Sequence, residues 1–131
     1  MAIPLDRFGA LAMEAQKPTA LGERCTVFIE TAIASACSEG AEQADIAAGL
    51  CHAIVRNYLH KVVGSKSVGD HIVLQGGVAY NPGIVAAFRS VCGDRLRVSP
   101  YFPISGAYGA ALLALEQIGQ TLRKAATMPG L

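Results

Sequence analysis

A chain of 131 residues with 52% hydrophobic and 16% charged residues holds enough apolar material for one core-forming domain, and too little charge for a disordered segment. Its formal net charge of +1 argues against a polyanion-binding surface, and 6% aromatic residues are too few for the stacking platforms of single-strand nucleic-acid binders. No apolar run approaches the ~20 residues of a membrane-spanning helix, and MAIPLDRF lacks the basic start and apolar stretch of a secretion signal; a cytoplasmic protein with no nucleic-acid or membrane partner is expected.

The first element in chain order is a short helix over Leu5–Gln16, with Phe8, Leu11, Ala12 and Ala15 on one side. Residues 17–23, with Pro18 and Gly22, form a connector. A second helix occupies residues 24–40, where Ile29, Ile33 and Ala36 recur at helical spacing and Gly40 supplies the stop. Cys25 then stands at or just before a helix N-terminus. Amide donors and the positive end of the dipole lower a thiol's pKa there and favour thiolate.

Asp45–Val63 reads as the longest helical pattern, with Ile46, Leu50, Ile54 and Tyr58 four apart and Ala47, Cys51 and Val62 beside them. The stripe of Gly49, His52, Arg56 and His60 reads as a solvated basic face rather than a metal site. The four cysteines, Cys25, Cys37, Cys51 and Cys92, are spaced by 12, 14 and 41 residues and include no C-x-x-C pair. That excludes a zinc ribbon within the chain. Free thiols are expected, with Cys37, Cys51 and Cys92 serving as small buried hydrophobes.

The chain is organised around His71–Asn81, HIVLQGGVAYN. Ile72, Val73 and Leu74 form an uninterrupted apolar run, which suits a strand covered on both faces, as in a parallel sheet. The run ends at Gly76–Gly77, where the absence of Cβ atoms lets backbone turn sharply or lie against a ligand. Asn81 is placed to cap the next helix and Pro82 to occupy its first position. Strand, diglycine and capped helix together make a ligand crevice at the carboxyl end of a strand. A tight strand-to-helix turn without ligand is the alternative the spacing leaves open.

The helix from Pro82 to about Cys92 should bury Ile84, Val85, Phe88 and Val91, and Leu96–Ser99 forms a second strand. After Pro100–Pro103, Ser105 is placed to cap a final helix with Ala111, Leu115, Ile118 and Leu122 on one face. Its start is small, Gly106, Ala107, Gly109 and Ala110, which lets it press against backbone or ligand. The tail Lys124–Leu131 reads as frayed. The expected class is therefore α/β, helix-rich, with a short parallel strand–helix–strand unit of right-handed crossover. Two strands are rarely stable alone, so the chain reads as part of a larger domain, residues 1–120, followed by a tail, residues 121–131.

Four segments occur in order: RCTVFIET at 24–31, DIAAGL at 45–50, VLQGGVAYNPGIVAAF at 73–88 and SGAYGAALLA at 105–114. Together they resemble the ATP-dependent activators of 2-hydroxyacyl-CoA dehydratases and the related ATP-binding subunits of benzoyl-CoA reductase. The resemblance covers about residues 3–118. It implies part of a ribonuclease-H-like lobe of the actin, sugar-kinase and seventy-kilodalton heat-shock superfamily. Gly76 and Gly77 would lie against the adenosine and α-phosphate of ATP or ADP, Val78 and Asn81 belonging to the same motif and Asn81 capping its helix. Cys25 would ligate a [4Fe–4S] cluster shared across a homodimer, two cysteines coming from each subunit. The partner implied is a 2-hydroxyacyl-CoA dehydratase or related CoA-ester reductase, which receives one electron.

The family's phosphate-binding glycine loop, its Mg²⁺-site aspartates and its second cluster cysteine have no counterpart here. The expectation is thus a carboxyl-terminal piece with an engineered or fortuitous Met1–Ala2 start, catalytically inert alone and prone to associate through its strand edge. Two other readings are weighed. The carboxyl-terminal lobe of a sugar-type kinase shares the diglycine but has no use for Cys25. A non-enzymatic helical interaction module would leave Gly76–Gly77 facing no cleft.

Overall fold

The computed structural model describes residues 3–22 and 26–126. Helix α1 spans Leu5–Met13, three residues short of the Gln16 end expected, and turns Phe8, Leu11 and Ala12 inward. The connector after it is pinned to the start of α3 (Gln43–Tyr58). The Asp45 carboxylate accepts from the backbone N–H of Gln16 at 2.9 Å and of Lys17 at 2.8 Å, and the Asp45 carbonyl accepts from Thr19 N–H at 2.9 Å. Between them α2 (Thr26–Ser38) ends before Gly40, whose φ of 82° is the left-handed stop its position suggested. Ile29 and Ala36 of α2 close a small core with Leu21, Ile46 and Ala53.

The main core lies where α1, α3 and α4 (Pro82–Cys92) meet. Ile46, Ala47, Cys51 and Val55 of α3 are fully enclosed, whereas Ile54 and Tyr58 are about half exposed. Ile46, Ala47 and Cys51 thus lie on the expected apolar face, while Val55 takes the enclosed place expected of Ile54, and Tyr58 and Val62 are exposed. Gly49, assigned to the solvated face, is buried, because a side chain there would strike the Thr19 carbonyl. His52 is only partly covered, and Arg56 and His60 are exposed as expected. Past Tyr58 the backbone widens into a π-helical turn, Leu59–Val63, closed by Gly64.

Strands β1 (Ile72–Leu74) and β2 (Leu96–Val98) pair in parallel across α4, Ile72 opposite Leu96 and Leu74 opposite Val98. Helices cover one side of this sheet. Ile72 and Leu74 pack on the main core, but Val73 is 59% exposed, so β1 is not covered on both faces. Val91 of α4, expected in the core, is half exposed. Cys51 and Cys92 are buried, and Cys37 is exposed, contrary to the buried-hydrophobe reading.

The longest helix among the described residues is α5 (Ser105–Ala126, 22 residues), not the Asp45–Val63 pattern. It makes few contacts with the other elements, and Leu115, Ile118 and Leu122 of its apolar face are exposed. The Ser105 hydroxyl donates back to the Tyr101 carbonyl at 2.8 Å instead of capping the helix. Helix α5 runs on through Ala126, so Lys124–Ala126 of the tail read as frayed are helical, and residues 127–131 lie outside the described residues.

Candidate functional site

The segment after β1 takes the form its composition dictates. Gly76 has φ +84° and ψ 178°, a conformation that side-chain-bearing residues rarely adopt, and it swings the chain out of the strand. Gly77–Tyr80 then make one 3₁₀ turn, closed by Ala79 N–H to the Gly76 carbonyl at 3.1 Å and Asn81 N–H to the Val78 carbonyl at 3.2 Å. The Asn81 side chain accepts from Ile84 N–H at 3.2 Å, and Pro82 follows as the first residue of α4. The capping expected of Asn81 is present.

What distinguishes the two glycines is the space in front of them. A Cβ placed at Gly76 or at Gly77 meets no atom within 4 Å. They form a bare backbone ledge at the carboxyl end of β1, the position at which parallel α/β sheets receive ligands. Gln75 and Val78, on either side of the two glycines, line an apolar groove of about 620 Å³.

The ledge is tied to the last third of the chain. Gly76 N–H donates to the Phe102 carbonyl at 2.8 Å, and the Tyr80 and Phe102 rings meet edge to face with centroids 4.7 Å apart. Tyr101 stacks on Tyr108 of α5 at 5.7 Å. The turn 99–104 and the first turn of α5 therefore stand beside the diglycine, where Gly106 and Gly109 are likewise open. Pro100–Pro103 thus does more than break a strand: its Phe102 carbonyl holds the ledge. A backbone carbonyl leaves no trace in sequence, although three tyrosines and Phe102 crowded into two short segments were a visible signal.

Titratable groups add little chemistry. Burial pushes the Cys51 thiol up to about 11, so it stays protonated at neutral pH. His52 is held below its ordinary value, by burial first and by the Arg56 guanidinium second; its Nδ1 lies 3.5 Å from the Ser90 hydroxyl, which donates to the Ala87 carbonyl at 2.8 Å. Among the described residues no group of three or more His, Cys, Asp or Glu side chains could hold a metal ion, and no helix is long and apolar enough to cross a membrane. Cys25 lies outside the described residues; Thr26, the next residue, begins α2.

A family model for the BadF/BadG/BcrA/BcrD ATPases matches residues 1–114. The chain belongs to that family. Within it, the 2-hydroxyisocaproyl-CoA dehydratase activator of Clostridioides difficile is 31% identical over 122 residues, which are 93% of this chain and 46% of that protein. The (R)-2-hydroxyglutaryl-CoA dehydratase activating ATPase of Acidaminococcus fermentans is 33% identical over 107 residues, 82% of this chain and 41% of that protein. The solved structure of the C. difficile activator, which has ADPNP bound, superposes with a TM-score of 0.77 at 28% identity, covering 98% of this chain and 47% of that one. The A. fermentans component gives 0.75 at 29% identity, covering 85% and 42%. The chain thus has the fold of one part of a family ATPase and spans under half the length of these relatives. The sugar-kinase alternative falls with the family match.

Proposed function

We propose that the chain forms the adenosine side of the nucleotide cleft in a cytoplasmic, ATP-dependent activator of a 2-hydroxyacyl-CoA dehydratase or related CoA-ester reductase. The observation that carries this is the bare ledge of Gly76 and Gly77 at the carboxyl end of β1, in a chain belonging to an ATPase family and similar in fold to an activator solved with an ATP analogue. Without Cβ atoms, the two residues let an adenosine and its α-phosphate approach main chain directly. Val78 flanks the ledge, and Asn81 holds the start of α4 in place behind it. A ligand pressing on the ledge also bears on Phe102, in the turn whose Tyr101 stacks on Tyr108 of α5.

In this reading Cys25 is one ligand of a [4Fe–4S] cluster shared across a homodimer. A thiolate just ahead of α2 fits that role chemically, because helix N-termini favour anions and such clusters are held by thiolates. When bound, the cluster supplies a low-potential electron to the partner enzyme. The chain carries no counterpart of the Mg²⁺ aspartates or of the phosphate loop, and phosphoryl transfer needs both, so it binds without hydrolysing.

Titration of ADP into the isotope-labelled chain tests the adenosine site. Shifts centred on Gly76, Gly77 and Val78, saturating in the millimolar range and abolished by Gly77→Val, are expected; their absence, or measurable ATP hydrolysis by the chain alone, overturns the reading. Anaerobic treatment with iron and sulfide tests the cluster, where a brown species present in wild type and missing in Cys25→Ser is expected.

A further inference from the structure

The chain has four tyrosines and four phenylalanines, and four of these eight rings, Tyr80, Tyr101, Phe102 and Tyr108, gather beside the diglycine ledge. Elsewhere Phe8 and Phe88 pack in or against the main core, and Tyr58 meets Phe88 edge to face. Tyr80 has no such burial, being 67% exposed, yet it is not loose. Its ring sits edge to face on Phe102 at 4.7 Å, and Phe102 is fixed in turn by its carbonyl, which accepts from Gly76 N–H. A contact at 78° covers at most one face of the tyrosine. Tyr101 and Tyr108 instead lie 13° from parallel and cover one another. Tyr80 is thus the ring with a fixed seat and an open face, and a seated ring loses little freedom when something flat lies on it.

Turn geometry brings that ring to the ledge. Gly77–Tyr80 is a single 3₁₀ turn, and residues three apart in such a turn stand on the same side, about 6 Å apart along its axis. Tyr80 follows Gly77 by three, so its ring rises on the side where a Cβ of Gly77 would meet nothing within 4 Å. Open main chain suits a sugar and phosphate, and a ring one turn further on suits a flat base. The neighbouring polar side chains hold main chain instead. Asn81 Oδ1 accepts from Ile84 N–H, Ser99 Oγ accepts from Tyr101 N–H at 3.1 Å, and the Ser105 hydroxyl donates to the Tyr101 carbonyl. Ring surface is then what tells one base from another. We infer that Tyr80 is the base platform of the nucleotide site and gives it a preference for purines over pyrimidines, because the larger ring system overlaps more of the tyrosine. This rests on the reading of the ledge as a nucleotide site and names the residue that selects the base.

The chain contains no tryptophan, so Tyr80→Trp places a lone indole reporter at the platform. ADP and GDP should quench its fluorescence saturably, at concentrations no higher than those that shift Gly76–Val78 in the wild-type chain, and UDP should need about tenfold more. Tyr80→Phe should keep the wild-type ADP affinity. Tyr80→Leu still fills the place beside Phe102 but offers no ring, and it should weaken ADP about fivefold or more, down to the level of UDP. Both variants should keep the wild-type circular dichroism, since Tyr80 is largely exposed. UDP binding the wild-type chain as tightly as ADP, or full ADP affinity in Tyr80→Leu, overturns the platform and leaves the adenosine site standing. So does a Tyr80→Leu loss that weakens UDP by the same factor as ADP, which is the mark of a structural role. No ADP shifts in the wild-type chain and no quenching in Tyr80→Trp would sink the adenosine site and the platform together.

Discussion

Gly83 and Gly77 stand six residues apart and illustrate opposite reasons for a glycine. At Gly83, in the first turn of α4, a Cβ would lie 2.8 Å from the Ala12 Cβ and 2.9 Å from the Cys51 sulfur. Gly9 is equally tight, 2.6 Å from the Asn81 Oδ1 and 2.7 Å from the Pro82 Cδ. These residues bring α1, α3 and α4 closer than any side chain allows. At Gly77 the same missing atom faces open solvent. One glycine region lets helices meet in the core, and the other faces open space. Substitutions should therefore separate stability from binding along a stretch of only a few residues.

The largest effect on stability is expected at Gly83. A methyl group there meets Cys51 and Ala12, both buried, so Gly83→Ala should cost about 1–3 kcal/mol by chemical denaturation. A loss below about 0.5 kcal/mol would mean that the three-helix junction is looser than its distances indicate.

The enclosed Cys51 at the same junction gives a pH signature. Its thiol is raised from 9.0 to about 11, so below pH 9 both folded and unfolded chains hold the proton and stability is unaffected. Between pH 9 and 11 the unfolded chain releases the proton first, and stability falls by on the order of 1–2 kcal/mol. Cys51→Ala should flatten that part of the profile relative to wild type, whatever its cost at neutral pH. An unchanged alkaline slope would place the thiol in contact with water. Moving away from the junction, Asn81→Ala removes the bond to Ile84 N–H and should cost about 1 kcal/mol, measured by thermal melting.

The contrast also shows what could be read before any coordinates. The diglycine, the Asn81 cap, the Gly40 stop and the parallel pairing across α4 were legible, because each is a local consequence of φ, a side-chain oxygen or strand topology. Gly83 and Gly49 were not, since their tightness depends on Ala12, Cys51 and the Thr19 carbonyl arriving from distant segments. The apolar run Ile72–Leu74 misled for the opposite reason. Its composition suits a strand covered on both faces, yet Val73 is 59% exposed. Likewise Leu115, Ile118 and Leu122 share one apolar helix face as their spacing indicates, yet all three are exposed.

The smallest effect on folding is expected at Gly77, and it is the most informative. The φ of Gly77 is not positive, and a Cβ there meets nothing within 4 Å, so Gly77→Ala introduces neither strain nor overlap. Replacing glycine at such a position restricts the unfolded chain and stabilises by up to about 0.4–1 kcal/mol. If the ledge is only a turn, that modest gain is the whole outcome. If adenosine lies against it, the added methyl group occupies ligand space, and the ADP-dependent shifts at Gly76 and Val78 should vanish from a protein that melts no lower than wild type. Gly76→Ala offers no such separation, because φ of +84° makes any side chain strained there whether or not a ligand binds. Loss of binding with stability intact is an outcome that a packing role for Gly77 cannot produce.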